Sequence, residues 1–348
     1  MKVFSASQAV SPAIERTKNY LFRPFAWGTY LKLSVVACIT EGFSARFNYS
    51  TNQHSSSGSG YSPGAFTGFH LSNEIIALIV LAALVAIAIG IFIFYLVTRL
   101  RFAFFHCLAH QTKEIRPGWR LYRAQATRFF KLNLIVAVVF IVVVALAALP
   151  FVFGFIDLFR AAEPGKFPVG GFILLFLPAL AVILVVVLLC CVVDLILRDL
   201  MLPHMALENA SVREAWLAAC ARIKAEKGAF LFYAFLRLVL PALAGLGLFM
   251  ALFIPLLVIF GILAISEIGF NAALANATGM TRIFLIALEA IVGLFTFVIG
   301  LFVAISLGGP IATWIRNYAL IFYGGRYQAL GEILVPPAPP IPSAPEVA

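Results

Sequence analysis

The chain has 348 residues, of which 63% are hydrophobic and only 11% charged, with a mean hydropathy of +1.03. That composition cannot supply the hydrated, charged shell that a soluble domain of this length needs, so the bilayer must be the solvent. The net charge of +10 comes from Lys and Arg placed beside apolar runs, which excludes a continuous basic face for nucleic acid and reads as orientation signals that attract anionic lipid headgroups.

Met1 to Phe25 carries Lys2, Arg16, Lys18 and Arg23 among short polar stretches, so the first span itself is the targeting element. Ser11-Pro12 reads as the N-cap and first residue of an interfacial helix over about 12–24. Ile14, Leu21 and Phe25 fall near one of its faces, and Glu15, Arg16, Lys18 and Asn19 fall elsewhere. The first apolar stretch, 27–43, is short and contains Lys32, so it spans only with that side chain snorkelling to its own interface. Val35-Val36-Ala37-Cys38 has the shape of a lipoprotein cleavage box, but Lys32 interrupts the apolar run before it, which counts against lipidation of Cys38. Residues 44–72, rich in Ser, Gly and Asn, form a flexible outer loop.

Residues 75–97 are an apolar helix of about 35 Å, enough to cross a hydrocarbon core of about 30 Å, ending at Arg99 and Arg101. The connection that follows carries Arg99, Arg101, Lys113, Arg116, Arg120, Arg123, Arg128 and Lys131 against Glu114. It reads as two interfacial helices within about 102–130, joined at a Pro117-Gly118 turn. Residues 132–155 span next, and a short loop with Pro164-Gly165 leads to a returning span at 169–196. That span tolerates Pro178 as a kink and ends at Asp194 and Arg198.

Ser211-Val-Arg-Glu214 is a capping box opening an amphipathic interfacial helix over about 211–227, with Val212, Trp216, Ala219 and Ile223 at helical spacing and Gly228 closing it. Ala229 to Ile265 makes about 55 Å of helix, too long for one straight crossing and too short for two. A tilted or kinked span at about 236–263, broken at Pro241, is expected. The last crossing, 283–307, stops at Gly308-Gly309-Pro310, and an aromatic interfacial helix follows at 311–323. The Pro/Ala-rich tail 334–348 reads as disordered. The fold class is therefore an all-α polytopic membrane helix bundle: one transmembrane domain, 1–333, with about six spans.

With the N-terminus inside, all but Arg46, Arg160, Lys166 and Arg282 of the 25 basic residues lie on the inner side. Trp27, Trp119, Trp216 and Trp314 fall there too, as interfacial anchors. The expected location is a cell membrane with both termini cytoplasmic. Cys38, Cys107, Cys190, Cys191 and Cys220 read as reduced thiols, the vicinal pair as small apolar helix residues. A loose internal echo relates Trp119 and Phe129-Phe130 to Trp216 and Phe230, in the manner of stacked helical hairpins.

Gly60-Tyr61-Ser62-Pro63-Gly64 matches G-x-S-x-G, but low-complexity sequence surrounds it in place of a strand-to-helix elbow, which favours coincidence. His106 and His110 are four apart, with His204 in the next inner connection. Without clustered carboxylates they read as histidines at a wet interface and not as metal ligands. Charges inside apolar spans are more informative, because each is costly unless paired or hydrated. Asp194 and Arg237, at the inner ends of neighbouring spans, are expected to pair and fix packing, while Glu289 reaches toward the outer interface; a proton or solute pathway through these residues is the competing reading. Asn48-Tyr-Ser and Asn276-Ala-Thr are sequons on outer loops. No residue is assigned as catalytic, cofactor-binding or metal-ligating, and no cofactor is expected.

Three segments carry a resemblance: Ser11-Pro-Ala-Ile-Glu-Arg-Thr-Lys-Asn-Tyr-Leu-Phe-Arg-Pro-Phe-Ala-Trp27, the loop around Phe47-Asn48, and Asp194 followed by Ser211-Val-Arg-Glu-Ala-Trp216. In these the chain resembles an uncharacterised prokaryotic multi-pass membrane family and is distantly similar to the membrane domain attached to some glycerophosphodiester phosphodiesterases. The resemblance implies topology. It carries no activity, since the chain has no soluble phosphodiesterase domain.

The leading expectation is a non-enzymatic membrane component whose partners are the bilayer, anionic headgroups on the cytoplasmic side and an unidentified protein, with no nucleic acid. The alternative is a transporter or channel, suggested by Glu289, Arg237 and the expected helix breaks at Pro241 and Gly308-Gly309-Pro310. An intramembrane enzyme ranks third.

Overall fold

The computed structural model describes residues 3–42, 73–161 and 169–335, and every regular element among them is helical. The expected loop at 44–72, with its Ser62 motif and Asn48 sequon, the Pro164-Gly165 turn and the tail beyond Val335 lie outside the described residues. The all-α class agrees with the sequence. Six stretches are long and apolar enough to cross a membrane: Ile76–Ala109, Arg123–Arg160, Val169–Leu207, Lys227–Pro255, Leu257–Asn276 and Gly279–Gly324. They are not the predicted six. The stretch expected to cross at 27–43 is not one of them, and one continuous helix that includes 236–263 carries two.

The chain divides into two compact units. The first comprises residues 1–44, 108–113 and 226–348. It contains α1 (Val10–Phe22), α2 (Trp27–Ala37, prolonged by a π turn, Cys38–Gly42), α9 (Lys227–Asn276), α10 (Gly279–Gly324) and α11 (Gln328–Leu334). Helix α1 begins at Val10, so Ser11 is not its N-cap; Ser11 and Pro12 sit in the first turn, where the missing proline N–H costs no helical bond.

The packed face of α1 is Ala13, Thr17, Tyr20 and Leu21, while Ile14 is exposed. This displaces the predicted apolar face, because small Ala13 and Thr17 permit close packing and the buried Asn317 amide donates to Thr17 Oγ1 at 2.8 Å. Arg16 is not an outward-facing charge either. Its guanidinium donates to the carbonyls of Leu108 (2.8 Å), Ala109 (3.1 Å) and Leu334 (3.3 Å) near helix C-termini, where carbonyls lack helical partners.

Helices α9 and α10 form a hairpin about a turn at Ala277–Thr278, and Gly279 takes a left-handed φ of 59°, which a residue without Cβ adopts freely. Neither predicted break occurs: α9 runs through Pro241 and Pro255, and α10 runs through Gly308-Gly309-Pro310 into what was expected to be a separate helix at 311–323. Membrane helices accept proline where neighbours re-satisfy the freed carbonyl. At the base of the hairpin Tyr233 stacks on Phe322 with ring centroids 4.2 Å apart and lies 5.4 Å from Tyr318. Burial concentrates here, on α1, α2 and Ile315–Tyr323, whereas Leu246, Ile254, Ile262 and Phe295 along the hairpin are exposed.

The second unit comprises residues 45–107 and 114–225. It holds all but the last two residues of α3 (Asn73–Ala109), α4 (Arg116–Leu121), α5 (Arg123–Ala161), α6 (Val169–Leu195), a π turn (Ile196–Met201), α7 (Leu202–Leu207) and α8 (Val212–Ala225). The two interfacial helices expected within 102–130 do not form. Helix α3 continues past Arg99 and Arg101, α5 already starts at Arg123, and only the short α4 lies between.

Arg99 does not end its helix because its guanidinium lies 4.2 Å over the Trp119 ring and donates to the Trp119 carbonyl at 2.9 Å. Pro117 and Gly118 are part of α4, not a turn. A Cβ on Gly118 would come within 2.9 Å of Ala103 Cα, so glycine is required by close approach. Pro178 lies inside an uninterrupted α6, as expected. Gly228 does not close α8, which ends at Ala225; it lies inside α9.

The core of this unit is Phe102, Phe105, Phe129, Leu200 and Met201, fully buried, while Ile79, Ile141 and Leu184 in the apolar runs are exposed. In each unit, then, the interior lies where the long helices meet the basic connections, and the apolar bands beyond it are left to face lipid.

Candidate functional site

Four arrangements of polar or small residues stand out. The first is the crossing of α2 and α10. A Cβ on Gly309 would lie 2.3 Å from Ser34 Cβ and 2.6 Å from Ser34 Cα, so only glycine admits the α2 backbone at this distance. Pro310 withdraws the N–H that would bond the Ser306 carbonyl, and the Tyr30 hydroxyl donates to that oxygen instead. The Gly-Gly-Pro run is a docking notch for α2 in an intact helix.

The second is the set of intramembrane charges. Arg237 Nη2 lies 3.1 Å from Glu41 Oε2, with both side chains about nine-tenths buried. Asp194 pairs within one helical turn with Arg198 at 3.7 Å, and Arg198 also approaches the buried Asp199 at 3.9 Å. Asp194 and Arg237, expected from the sequence to pair, each have a partner inside their own unit. Glu41, one residue from the end of the π turn, is the partner that sequence reasoning missed. Glu289 is half-buried on α10.

The third is the histidines. His204 is buried, not wet: Nδ1 lies 3.1 Å from Glu208 Oε2 and Nε2 2.9 Å from Arg222 Nη1. His106 packs edge-on to Tyr122, and burial raises the Tyr122 phenol above its ordinary pKa. Among the described residues no group of three or more His, Cys, Asp or Glu is placed to hold a metal ion.

The fourth is an open groove of about 580 Å³ lined by Arg120, Leu121, Arg123, Ala124, Thr127, Arg128 and Lys131. Arg123, Thr127 and Lys131 follow at four-residue intervals on α5 and so share a face. All four basic side chains are exposed, and among the described residues no carboxylate pairs with them. Arg128 reaches the Asn209 side-chain oxygen at 3.5 Å. The sequence displayed the charges but not their convergence, which depends on α5 starting at Arg123.

Of the tryptophans, Trp27 and Trp216 are exposed, Trp119 is covered by Arg99 and Trp314 is half-buried. The Ser211–Glu214 capping box forms: the Ser211 N–H donates to Glu214 Oε2 at 2.8 Å, and the Glu214 N–H to Ser211 Oγ at 3.3 Å. The Ser211 backbone N–H, with the Ser211 side chain second, holds the Glu214 carboxyl below its ordinary pKa.

Compared with known proteins, residues 4–333 match the model of a family described as a family of unknown function, DUF7544. No curated protein and no solved structure matches the chain.

Proposed function

The chain belongs to that family of unknown function, and from its geometry we propose that it is a non-enzymatic component of a cell membrane, with its basic, packed ends and both termini at the cytoplasmic surface, acting through anionic lipid headgroups or a protein docked there. The observation that carries this reading is the distribution of burial. Interiors form at the basic connections, and the long helices beyond them expose Ile, Leu, Val and Phe on most sides, as lipid-facing helices do. The bias of Lys and Arg toward those connections supports the orientation. The distant likeness to the membrane domain of glycerophosphodiester phosphodiesterases finds no counterpart among the comparisons and contributes nothing to the proposal.

The test is a labelling map. Leu121→Cys and Leu217→Cys variants in a cysteine-free background should react with an impermeant maleimide from the same, cytoplasmic side. Labelling from opposite sides overturns the orientation, and purification without any enriched lipid or partner overturns the role.

A second reading, transport, is favoured by the buried Arg237–Glu41 pair, since intramembrane charges often mark pathways. The continuity of α9 and α10 through their prolines removes the unwound backbone that had supported it. Flux into proteoliposomes that falls in Arg237→Gln and Glu289→Gln would favour transport; no flux for a broad solute panel would retire it.

A further inference from the structure

We infer that the groove on α4 and α5 is a binding site for an anionic phospholipid headgroup carrying more than one negative charge, with its acyl chains laid along the adjoining stripe of α5. Arg120, Arg123, Arg128 and Lys131 line one open groove, and among the described residues no carboxylate neutralises them. Uncompensated convergence of like charge is unfavourable until an anion enters. From Arg123 to Lys131 the helix rises about 12 Å, more than a single phosphate fills, so two phosphates suit the span better than one.

The same face continues without interruption into apolar surface. Ile135, Val139, Val142 and Leu146 follow Lys131 at three- and four-residue steps and are exposed. Leu121 adds an apolar lip at the groove. A soluble anion has no use for that stripe, whereas a lipid buries its chains on it while its phosphates meet the cations. Guanidinium groups add bidentate geometry for phosphate oxygens.

The inference rests on the membrane reading above, and its test separates the two. The full chain is reconstituted in nanodiscs of zwitterionic lipid containing either a one-phosphate anionic lipid or the two-phosphate lipid cardiolipin at equal total charge, and retained lipid is counted after purification. The two-phosphate lipid should be enriched, and Arg123→Gln/Lys131→Gln should lower that enrichment about thirtyfold, as loss of two basic groups at a headgroup surface implies. Arg213→Gln/Lys224→Gln on α8, which removes equal charge from other exposed positions, should leave it unchanged.

Equal enrichment of the two lipids, or equal loss in both variants, overturns the site. Displacement of the bound lipid by millimolar inorganic phosphate would point to a soluble anion and overturn the lipid assignment. A chain that leaves the discs for the aqueous fraction overturns the membrane reading itself. Unchanged thermal unfolding of the α5 variant, expected for exposed substitutions, excludes misfolding as the cause.

Discussion

The Tyr30 hydroxyl donates to the Ser306 carbonyl, the oxygen that Pro310, four residues on, leaves without its helical N–H. A side chain from α2 thus completes the hydrogen bonding of α10, and helix continuity depends on tertiary contact. Tyr30→Phe should lower stability by about 1 kcal/mol, more if the carbonyl stays dry. Pro310→Ala restores the N–H, so the cost of Tyr30→Phe should shrink in that background. Thermal unfolding of the four members of this double-mutant cycle in detergent measures the coupling; identical costs in both backgrounds would refute the pairing.

Gly309→Val should be the most disruptive substitution at the α2–α10 crossing, because the added Cβ meets Ser34 at 2.3 Å. Overpacking of this kind costs about 1–3 kcal/mol or displaces α2. Gly308→Ala, whose Cβ would lie 3.4 Å from Cys38 Sγ, and Gly245→Ala, which meets nothing within 4 Å, should be tolerated. Protease sensitivity after Gly42 reads the release of α2.

Removing one member of the Glu41–Arg237 pair takes a 3.1 Å ionic contact from a buried charge. Glu41→Gln and Arg237→Met should each cost about 3–5 kcal/mol, while the double variant recovers much of the loss. Chemical unfolding of the three variants gives the comparison, and additive losses would show that the two side chains do not act as a pair.

The Glu214 carboxyl is held below its ordinary pKa by Ser211, so its stabilising effect on the start of α8 is present in full above the ordinary carboxylate range and disappears as pH falls through the lowered value. The protection of the Ser211 amide against exchange, taken relative to its intrinsic rate at each pH, should fall on acidification in the natural chain. In Glu214→Gln that pH-dependent fall should be absent.

The sequence revealed the helix class, the apolar runs and the capping box, because each is written in local spacing: Ser211 and Glu214 need only three residues to find one another. What it concealed is tertiary. Pro241 and Gly308-Gly309-Pro310 carry the local signature of helix ends, yet the chain runs on because Tyr30 supplies the missing donor at one of them. Arg99 looked like a terminus until Trp119, from a different helix, took its charge. Arg237 also has a partner that no local spacing displays, since Glu41 stands nearly two hundred residues away along the chain. The groove on α5 was hidden differently: its cations were visible, but a helix boundary drawn at 130 and not at Arg123 scattered them between two elements.

The hairpin of α9 and α10 has legs of 50 and 46 residues, about 75 and 69 Å as regular helix. Even tilted by 40°, the longer leg climbs about 57 Å, nearly twice a hydrocarbon thickness of about 30 Å. Such a rod overshoots. With the packed ends held at one membrane surface, as proposed above, its tip, with Glu267, Asn271 and Arg282, would project past the opposite leaflet and carry the exposed Ile268, Met280 and Phe284 with it.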